Sequence, residues 1–252
     1  MSANPHEPSV GTDGDRGAAF SRLVDEAMET GATSVVVGME TIGRPGFQRA
    51  AAVAQSSRLG AGGSAHRNGG ASGWVDHGHH ALFRLDAFAA CGGYDESFSH
   101  NEDAELDVRL ARAGGRIWLT GAAPMTYYPR ATAGALWRQY LNYGRGRART
   151  VLKHRTRLRL RQALPLAVAP AALAALAAPL WWPAALPALG WALACLTYGA
   201  VLGLRRRDVW AALAGPAAMI MHLAWSAGFW SQLLARRIDG AKAGRKMQAV
   251  RP

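Results

Sequence analysis

From Ala163 to Leu204 the chain runs for 42 consecutive residues without an Asp, Glu, Lys, Arg, His, Asn or Gln. Such a run is about twice the ~20 residues that cross a hydrocarbon layer, so it points to a pair of membrane helices. It divides at Pro179-Leu180-Trp181-Trp182-Pro183, where paired tryptophans and two prolines read as an interfacial turn. Two spans are expected, near 164–180 and 184–204, returning the chain to the side that carries Arg205-Arg206-Arg207. A third apolar segment, 209–234, contains Pro216, His222 and Gln232 and is followed by Arg236, Arg237, Lys242, Arg245, Lys246 and Arg251. Positive charge on both flanks opposes a simple crossing, and leaves a re-entrant loop, an interfacial helix and a costly third span as the readings.

About 160 residues remain for a water-soluble head, enough for one core. The net charge of +12 would invite nucleic acid, but its distribution says otherwise: 15 of the 17 acidic residues precede Val108, and none lies between Val108 and Arg207. Within that acid-free stretch Arg138, Arg145, Arg147, Arg149, Lys153, Arg155, Arg157, Arg159 and Arg161 form a basic collar before the first apolar run. A collar there fits a cytoplasmic head on anionic lipid, at roughly 1 kcal/mol per cation near the surface. No zinc-finger spacing or RNP-like motif accompanies it, so nucleic acid is not an expected partner. Cys91 lies in the polar head and Cys195 in the apolar tail, which makes a disulfide implausible and a reducing compartment the expectation. The first residues contain no apolar run of the signal-peptide kind and read as a disordered tail, 1–18.

Local patterns alternate helix and strand. Phe20, Leu23, Val24 and Met28 fall at helical spacing and stop at Gly31; Ser34-Val35-Val36-Val37 reads as a buried strand; an apolar-periodic stretch from Phe47 to about Ala54 reads as a second helix. Gly60-Ala61-Gly62-Gly63-Ser64 lacks the GxxxxGK[ST] pattern of a phosphate-cradling loop and reads as a surface loop. Helices over 85–90 and 102–113 and a strand over 116–119 complete an α/β head.

The densest chemistry lies between His77 and Arg109. Gly92-Gly93-Tyr94-Asp95-Glu96 is followed by Asn101-Glu102-Asp103 and then by Leu106 to Arg109. This order of turn, acid pair and helix resembles the acceptor-side signature of family 2 glycosyltransferases, which have the GT-A fold. The likeness runs from about Phe20 to at least Ala148 and is nearest to the group acting in succinoglycan biosynthesis. It implies a partial GT-A-like head, 19–130, then a basic interfacial helical segment, 131–161, and a C-terminal transmembrane helical region, 162–252. It also implies a membrane-associated, multi-pass transferase of exopolysaccharide assembly that uses a nucleotide sugar, such as a UDP-sugar, and a lipid-linked saccharide acceptor.

Transfer with inversion needs a carboxylate to take the acceptor hydroxyl's proton as the oxygen attacks the anomeric carbon, assistance worth roughly 10²–10⁴-fold. The resemblance places that base on Asp103, with Glu102 holding the geometry or contacting the acceptor. Read without the resemblance, the same residues make a helix start, with Asn101 as N-cap and two acids favourable to the dipole at about 0.3–1 kcal/mol each. His77, His79 and His80 place three imidazoles within four residues, yet metal sites draw ligands from separated positions. The resemblance makes His79 and His80 part of a substrate-facing loop. Downstream, processive relatives carry a QxxRW motif. Here Gln139 is followed by Asn142 and Tyr143, a mismatch that favours addition of one sugar per encounter. Arg138, Gln139, Arg145 and Arg147 remain candidates for contact with a diphosphate or sugar, lipid head groups being the competing use of the arginines.

The family also implies a divalent metal, Mg²⁺ or Mn²⁺, held by an acidic triplet at the end of a nucleotide-binding half. Asp13-Gly14-Asp15 spells such a triplet, but Pro8-Ser9-Val10-Gly11-Thr12 supplies no buried strand before it, so no ligands are assigned. A counterpart of the nucleotide-binding half is not recognisable in the sequence. Two classes of function follow: a glycosyltransferase catalytic half working with a nucleotide-binding half supplied separately, or a catalytically inactive membrane-anchored remnant or interaction protein.

Overall fold

A computed structural model describes residues 13–62, 71–158 and 160–249. The first helix, α1 (Asp13–Thr30), stops where Thr30 Oγ1 donates to the Glu26 carbonyl and Gly31 turns to φ +66°. Its apolar spacing does not mark its buried face: Leu23 and Ala27 pack inward, while Phe20 and Met28 stay exposed. The central strand β1 (Ser34–Thr41) is buried from Ser34 to Met39 because both its faces are covered. Val35 and Val37 meet Leu23, and Val36 meets Ile117 and Leu119.

The sheet has the order β2-β4-β1-β3, formed with β2 (Gly73–Val75), β3 (His79–Phe83) and β4 (Ile117–Tyr127). β1 and β4 run parallel, and both edge strands are antiparallel to their neighbours. β2 and β3 are too short and too polar to stand out in the sequence. Helix α2 (Phe47–Ser56) forms where expected, followed by α3 (Arg58–Ala61). Gly60 is therefore helical rather than part of a loop; a Cβ there would lie 2.2 Å from the Ala54 carbonyl oxygen. Gly63 and Ser64, the rest of the expected glycine-rich loop, lie outside the described residues. Then come α4 (Leu85–Ala90), α5 (Glu102–Arg112) and α6 (Ala133–His154), the last capped by Thr132 Oγ1 accepting from Ala135 N–H.

The apolar tail departs from the expected spans. Segment 164–180 is not one helix but α7 (Leu160–Leu166), α8 (Val168–Ala174) and a single tighter turn, 175–177. Pro170 explains the break: it has no N–H to give the Leu166 carbonyl, which a continuing helix would require. Ser226 and Trp230 donate to that carbonyl instead, at 2.9 Å each, and Ala169 N–H finds the Ser226 hydroxyl at 3.1 Å. Two helical stretches among the described residues are long and apolar enough to cross a membrane, Trp182–Arg206 and Val209–Arg237. The first contains α9 (Leu186–Arg206); the second joins α10 (Val209–Ala212) to α11 (Ala214–Ala249). Only 11% of the first window is buried against 44% of the second, so α9 faces outward while α11 is packed against the rest of the chain.

That packing fuses head and tail. Ala50, Ala51 and Ala54 of α2, Leu136 of α6, and Ala214, Ala217, Ala218 and Met221 of α11 share one core. Where α6 meets α11, a Cβ on Gly144 would sit 2.0 Å from the Trp225 carbonyl oxygen, and one on Gly228 2.0 Å from that of Leu141. The two backbones touch, and only glycine permits it.

Candidate active site

Residues two apart on a strand stand about 6.6 Å from one another on the same side, and residues four apart on a helix about 6 Å. The near-equality lets His77, just before β3, and His79, its first residue, face Asp107 and Asp103 on α5 as two parallel pairs. His77 Nδ1 lies 2.6 Å from Asp107 Oδ2, and His79 Nδ1 is hydrogen-bonded to Asp103 Oδ2. The two rings meet edge to face with centroids 4.8 Å apart. Gly78 between them is buried against the sheet, and a Cβ there would fall 2.3 Å from Val36 Cγ2. The lack of a side chain is what lets the histidine-bearing segment lie on β1.

His80 is separated from this pair by a bulge. Val36 opposes Ala81 and Val37 opposes His79, leaving His80 as the extra residue, at φ +54°. Desolvation and then the neighbouring His79 lower its pKa, with Asp103 acting the other way, so His80 sits at the rim of the same site.

Burial alone would raise the pKa of Asp103. The hydrogen bond from His79, the charges of His79 and His77 and the Ala104 N–H outweigh it and hold the carboxylate at about 2. For Asp107 burial wins despite His77, and its pKa is raised. Tyr94, from the Gly-Gly-Tyr turn, is raised by burial and by the nearby Asp103, Asp107 and Glu102. Glu102 Oε2 is buried with no hydrogen-bond partner among the described residues. Asn101 occupies the N-cap position but does not cap: its backbone is left-handed, and its side chain donates to the Tyr143 carbonyl on α6.

The Gly-Gly turn, at φ +78° and +66°, places Asp95 to accept from Ser97 N–H and to pair with Lys153 at 2.7 Å. From α5, Arg109 holds this loop by donating to the Cys91 carbonyl. Sequence reasoning missed Glu105, which is fully buried between Arg109 on its own helix and Lys153 and His154 on α6. Two members of the basic collar thus turn onto the head instead of toward lipid: Lys153, and Arg149, which donates to the Ser97 carbonyl and covers the Phe98 ring.

The remaining candidates lie along α6. Gln139 Nε2 donates to the hydroxyls of Tyr127 and Tyr143, both at 2.9 Å, while its Oε1 is buried without a partner among the described residues. Arg138 is exposed, Arg147 is half-buried, and Arg145 reaches Ser231 on α11. Among the described residues, no hydrogen bond or ion pair joins Arg138, Gln139 or Arg145 to the histidine–aspartate pairs. Asp13 and Asp15 open α1, and their side chains lie outside the described residues.

The profile of the family described as "Glycosyl transferase family group 2" matches residues 52–204, a stretch that includes both histidine–aspartate pairs and the first long apolar helix. The chain belongs to this family. It is also 59% identical over 213 residues to the succinoglycan biosynthesis protein ExoA of Rhizobium meliloti (strain 1021), a match covering 84% of this chain and 64% of that protein. The chain therefore spans less than two thirds of that relative's length. No solved structure matches it.

Family 2 glycosyltransferases generally use a divalent cation. Among the described residues one set suits such an ion: a ring nitrogen each from His77 and His79 and a carboxylate oxygen of Asp103 lie within 4.8 Å of one another. The donors come from two separate elements, which the three clustered histidines alone did not offer. His80 is not among them.

Proposed function

We propose that this chain is the acceptor-side catalytic part of a membrane-associated inverting glycosyltransferase in exopolysaccharide synthesis, using a nucleotide sugar, a UDP-sugar in the simplest case, and a lipid-linked saccharide acceptor. The observation that carries this reading is Asp103, a partly exposed carboxylate at the first turn of α5, held in place by His79 inside a family 2 domain. In the reaction the acceptor hydroxyl loses its proton to Asp103 while its oxygen bonds to the anomeric carbon. The bond from that carbon to the nucleotide diphosphate breaks on the opposite face and its electron pair leaves with the diphosphate, which inverts the centre.

Burial opposes its ionisation, but the His79 hydrogen bond holds Asp103 well below the usual carboxylate range, so it is ionised and able to accept a proton, assistance worth roughly 10²–10⁴-fold. His79 fixes the carboxylate's orientation, and Glu102, whose Oε2 has no hydrogen-bond partner among the described residues, would turn to accept from a sugar hydroxyl. A divalent cation, where bound, supplies positive charge beside the reacting groups, and His77, His79 and Asp103 are the residues that would hold one. Arg205, Arg206 and Arg207 at the C-terminal end of α9, with the outer part of the basic collar, support a cytoplasmic head and a multi-pass chain.

The test is transfer of radiolabelled sugar to a lipid-linked acceptor by membranes holding this chain together with a nucleotide-binding half. Asp103→Asn removes the proton acceptor at constant size and is expected to slow transfer about 10²-fold. Asp95→Asn, in the turn, acts through local structure and costs less at equal expression. Near-complete turnover with Asp103→Asn would remove Asp103 as the base.

A further inference from the structure

We infer that the cavity at the carboxyl ends of β1 and β4 binds the phosphate-bearing end of a membrane amphiphile, the lipid-linked acceptor of the proposed reaction. The two strands run parallel and end together at Thr41 and Tyr127, so their following segments leave the sheet at the same edge. Ligands of open α/β sheets bind in the crevice formed there. The cavity holds about 510 Å³, within the ~300–1,000 Å³ of small-molecule sites; Arg44, Pro45, Phe47 and Gln48 line one wall, Tyr128 and Ala131 the other.

The walls are fixed in advance. Gln48 Oε1 accepts from Arg44 N–H at 2.9 Å while its Nε2 donates to the Pro129 carbonyl at 2.8 Å, so one side chain ties the two together. A Cβ on Gly43 would fall 2.5 Å from the Gln48 carbonyl oxygen, which seats the loop directly on α2. The interior suits an anion. No carboxylate lines it, and neither the Arg44 guanidinium nor the Tyr128 hydroxyl has a hydrogen-bond partner among the described residues. Helix α2 begins at the cavity with no capping side chain and no acid in its first turn, and Arg49 N–H is the first of its donors to find a carbonyl; a helix start of this kind attracts phosphate. Pro45, Phe47 and Tyr128 add ring and apolar surface, which an amphiphile uses and a bare anion does not. The membrane is close as well: Arg49 pairs at 2.5 Å with Asp208, which caps α10 immediately after α9, the junction of the two helical stretches long and apolar enough to cross a membrane. His79 opposes Val37 on β1, and the strand ends four residues on at Thr41, about 13 Å away, a distance that a saccharide spans and a phosphate does not. Assignment to the acceptor rests on the proposed transfer reaction; affinity of the cavity for a phosphorylated amphiphile does not.

The full chain, purified in detergent, is titrated by calorimetry with farnesyl diphosphate and, separately, with inorganic diphosphate. Farnesyl diphosphate is expected to bind at one site and more tightly than inorganic diphosphate. Arg44→Gln should weaken it about 10–100-fold, the worth of a charge-assisted hydrogen bond. Arg58→Gln, which removes an exposed cation on α3 outside the cavity, should leave it unchanged. Absence of binding, or equal losses in the two variants, overturns the site; equal affinity for inorganic diphosphate, or displacement by an equal concentration of phosphatidylglycerol, overturns the acceptor as its occupant. The Arg44 backbone, not its side chain, holds the loop, so Arg44→Gln should fold. Gln48→Leu unties the walls and should weaken binding too, and parental affinity in both variants overturns the cavity. In the transfer assay Arg44→Gln should raise the acceptor KM at parental kcat, whereas Asp103→Asn lowers kcat. Farnesyl diphosphate binding lost with Arg44→Gln alongside undiminished transfer by Asp103→Asn would keep this site and sink the proposed base. Parental binding by Arg44→Gln alongside transfer lost with Asp103→Asn would do the reverse.

Discussion

Replacement of Glu105 by Gln tests whether α5 is held by the ion network its sequence does not advertise. The carboxylate is fully buried and receives Arg109 Nη2 at 2.6 Å, Lys153 Nζ at 2.6 Å and His154 Nε2 at 2.8 Å. Glutamine preserves the shape and one acceptor oxygen but removes the charge that two cations and a histidine converge on. Breaking a buried pair costs about 3–5 kcal/mol when the partner is left without compensation. Lys153 is 39% exposed and keeps Asp95, so solvent and that second carboxylate recover part of the loss. The expected destabilisation is thus about 3 kcal/mol, read as a fall of about 6–12 °C in the melting midpoint of the detergent-solubilised chain. Asp95→Asn, which removes a more exposed pair, is expected to lower the midpoint less than Glu105→Gln does.

The same network predicts a pH dependence. Burial pushes the Glu105 pKa upward, but the hydrogen bonds from Arg109, Lys153 and His154 prevail and lower it from 4.5 to about 2. A depressed folded-state pKa stabilises fully above the unfolded value and is lost as protons bind. Stability from Glu105 is therefore complete above about pH 4.5 and falls progressively toward pH 2. The parent should lose more of its melting midpoint across that window than Glu105→Gln. A variant melting within about 2 °C of the parent at pH 7, with the same slope below pH 4.5, would refute the clamp.

Two further outcomes follow from packing and solvation. Gly228→Leu should prevent α6 and α11 from touching, because even its Cβ would fall 2.0 Å from the Leu141 carbonyl oxygen; gel filtration in detergent should show aggregated protein, whereas Gly190→Leu, where a Cβ meets nothing, should behave as the parent does. The chain should stay with membranes through a high-salt wash, since screening releases a chain held by charges alone but not one with Trp182–Arg206 in the hydrocarbon layer; recovery in the soluble fraction would remove the membrane reading.

Elements with a strong local signal were legible in the sequence. The run of β-branched residues at Val35-Val36-Val37 reads as a buried strand because it is covered on both faces, and α5 begins at Glu102, where the acid pair predicted it. The carboxylate proposed as the base, Asp103, was singled out in the sequence through its flanking turn. Its partners were half legible: the i, i+2 histidines and the i, i+4 aspartates are each visible as spacings, but neither spacing says that the two sets face each other. That pairing depends on the β3 bulge at His80 and on the close approach of Gly78 to Val36, both tertiary facts. The apolar ridge Phe20-Val24-Met28 misled for the opposite reason, since helical periodicity identifies a face without saying what covers it.

The membrane segment was hardest to read because hydropathy counts residues and not backbone partners. The uncharged run looked like two spans, yet Pro170 deprives the Leu166 carbonyl of its donor, and the break is stable only because Ser226 and Trp230 of α11 supply replacements. Segment 209–234, charged on both flanks, becomes the most buried of the apolar helices because it is structural: it joins α2 through Ala217, Ala218 and Met221, and meets α6 at Gly144 and Gly228. Helix α6 carries that contact further, since its C-terminal end grips Glu105 on α5, two residues from Asp103. A displacement of α11 must then either break the α6 contact, where the backbones leave no slack, or move the helix that carries Asp103. The long apolar helix α11 is in this sense part of the site's framework, and separating it from the head should cost the head its geometry.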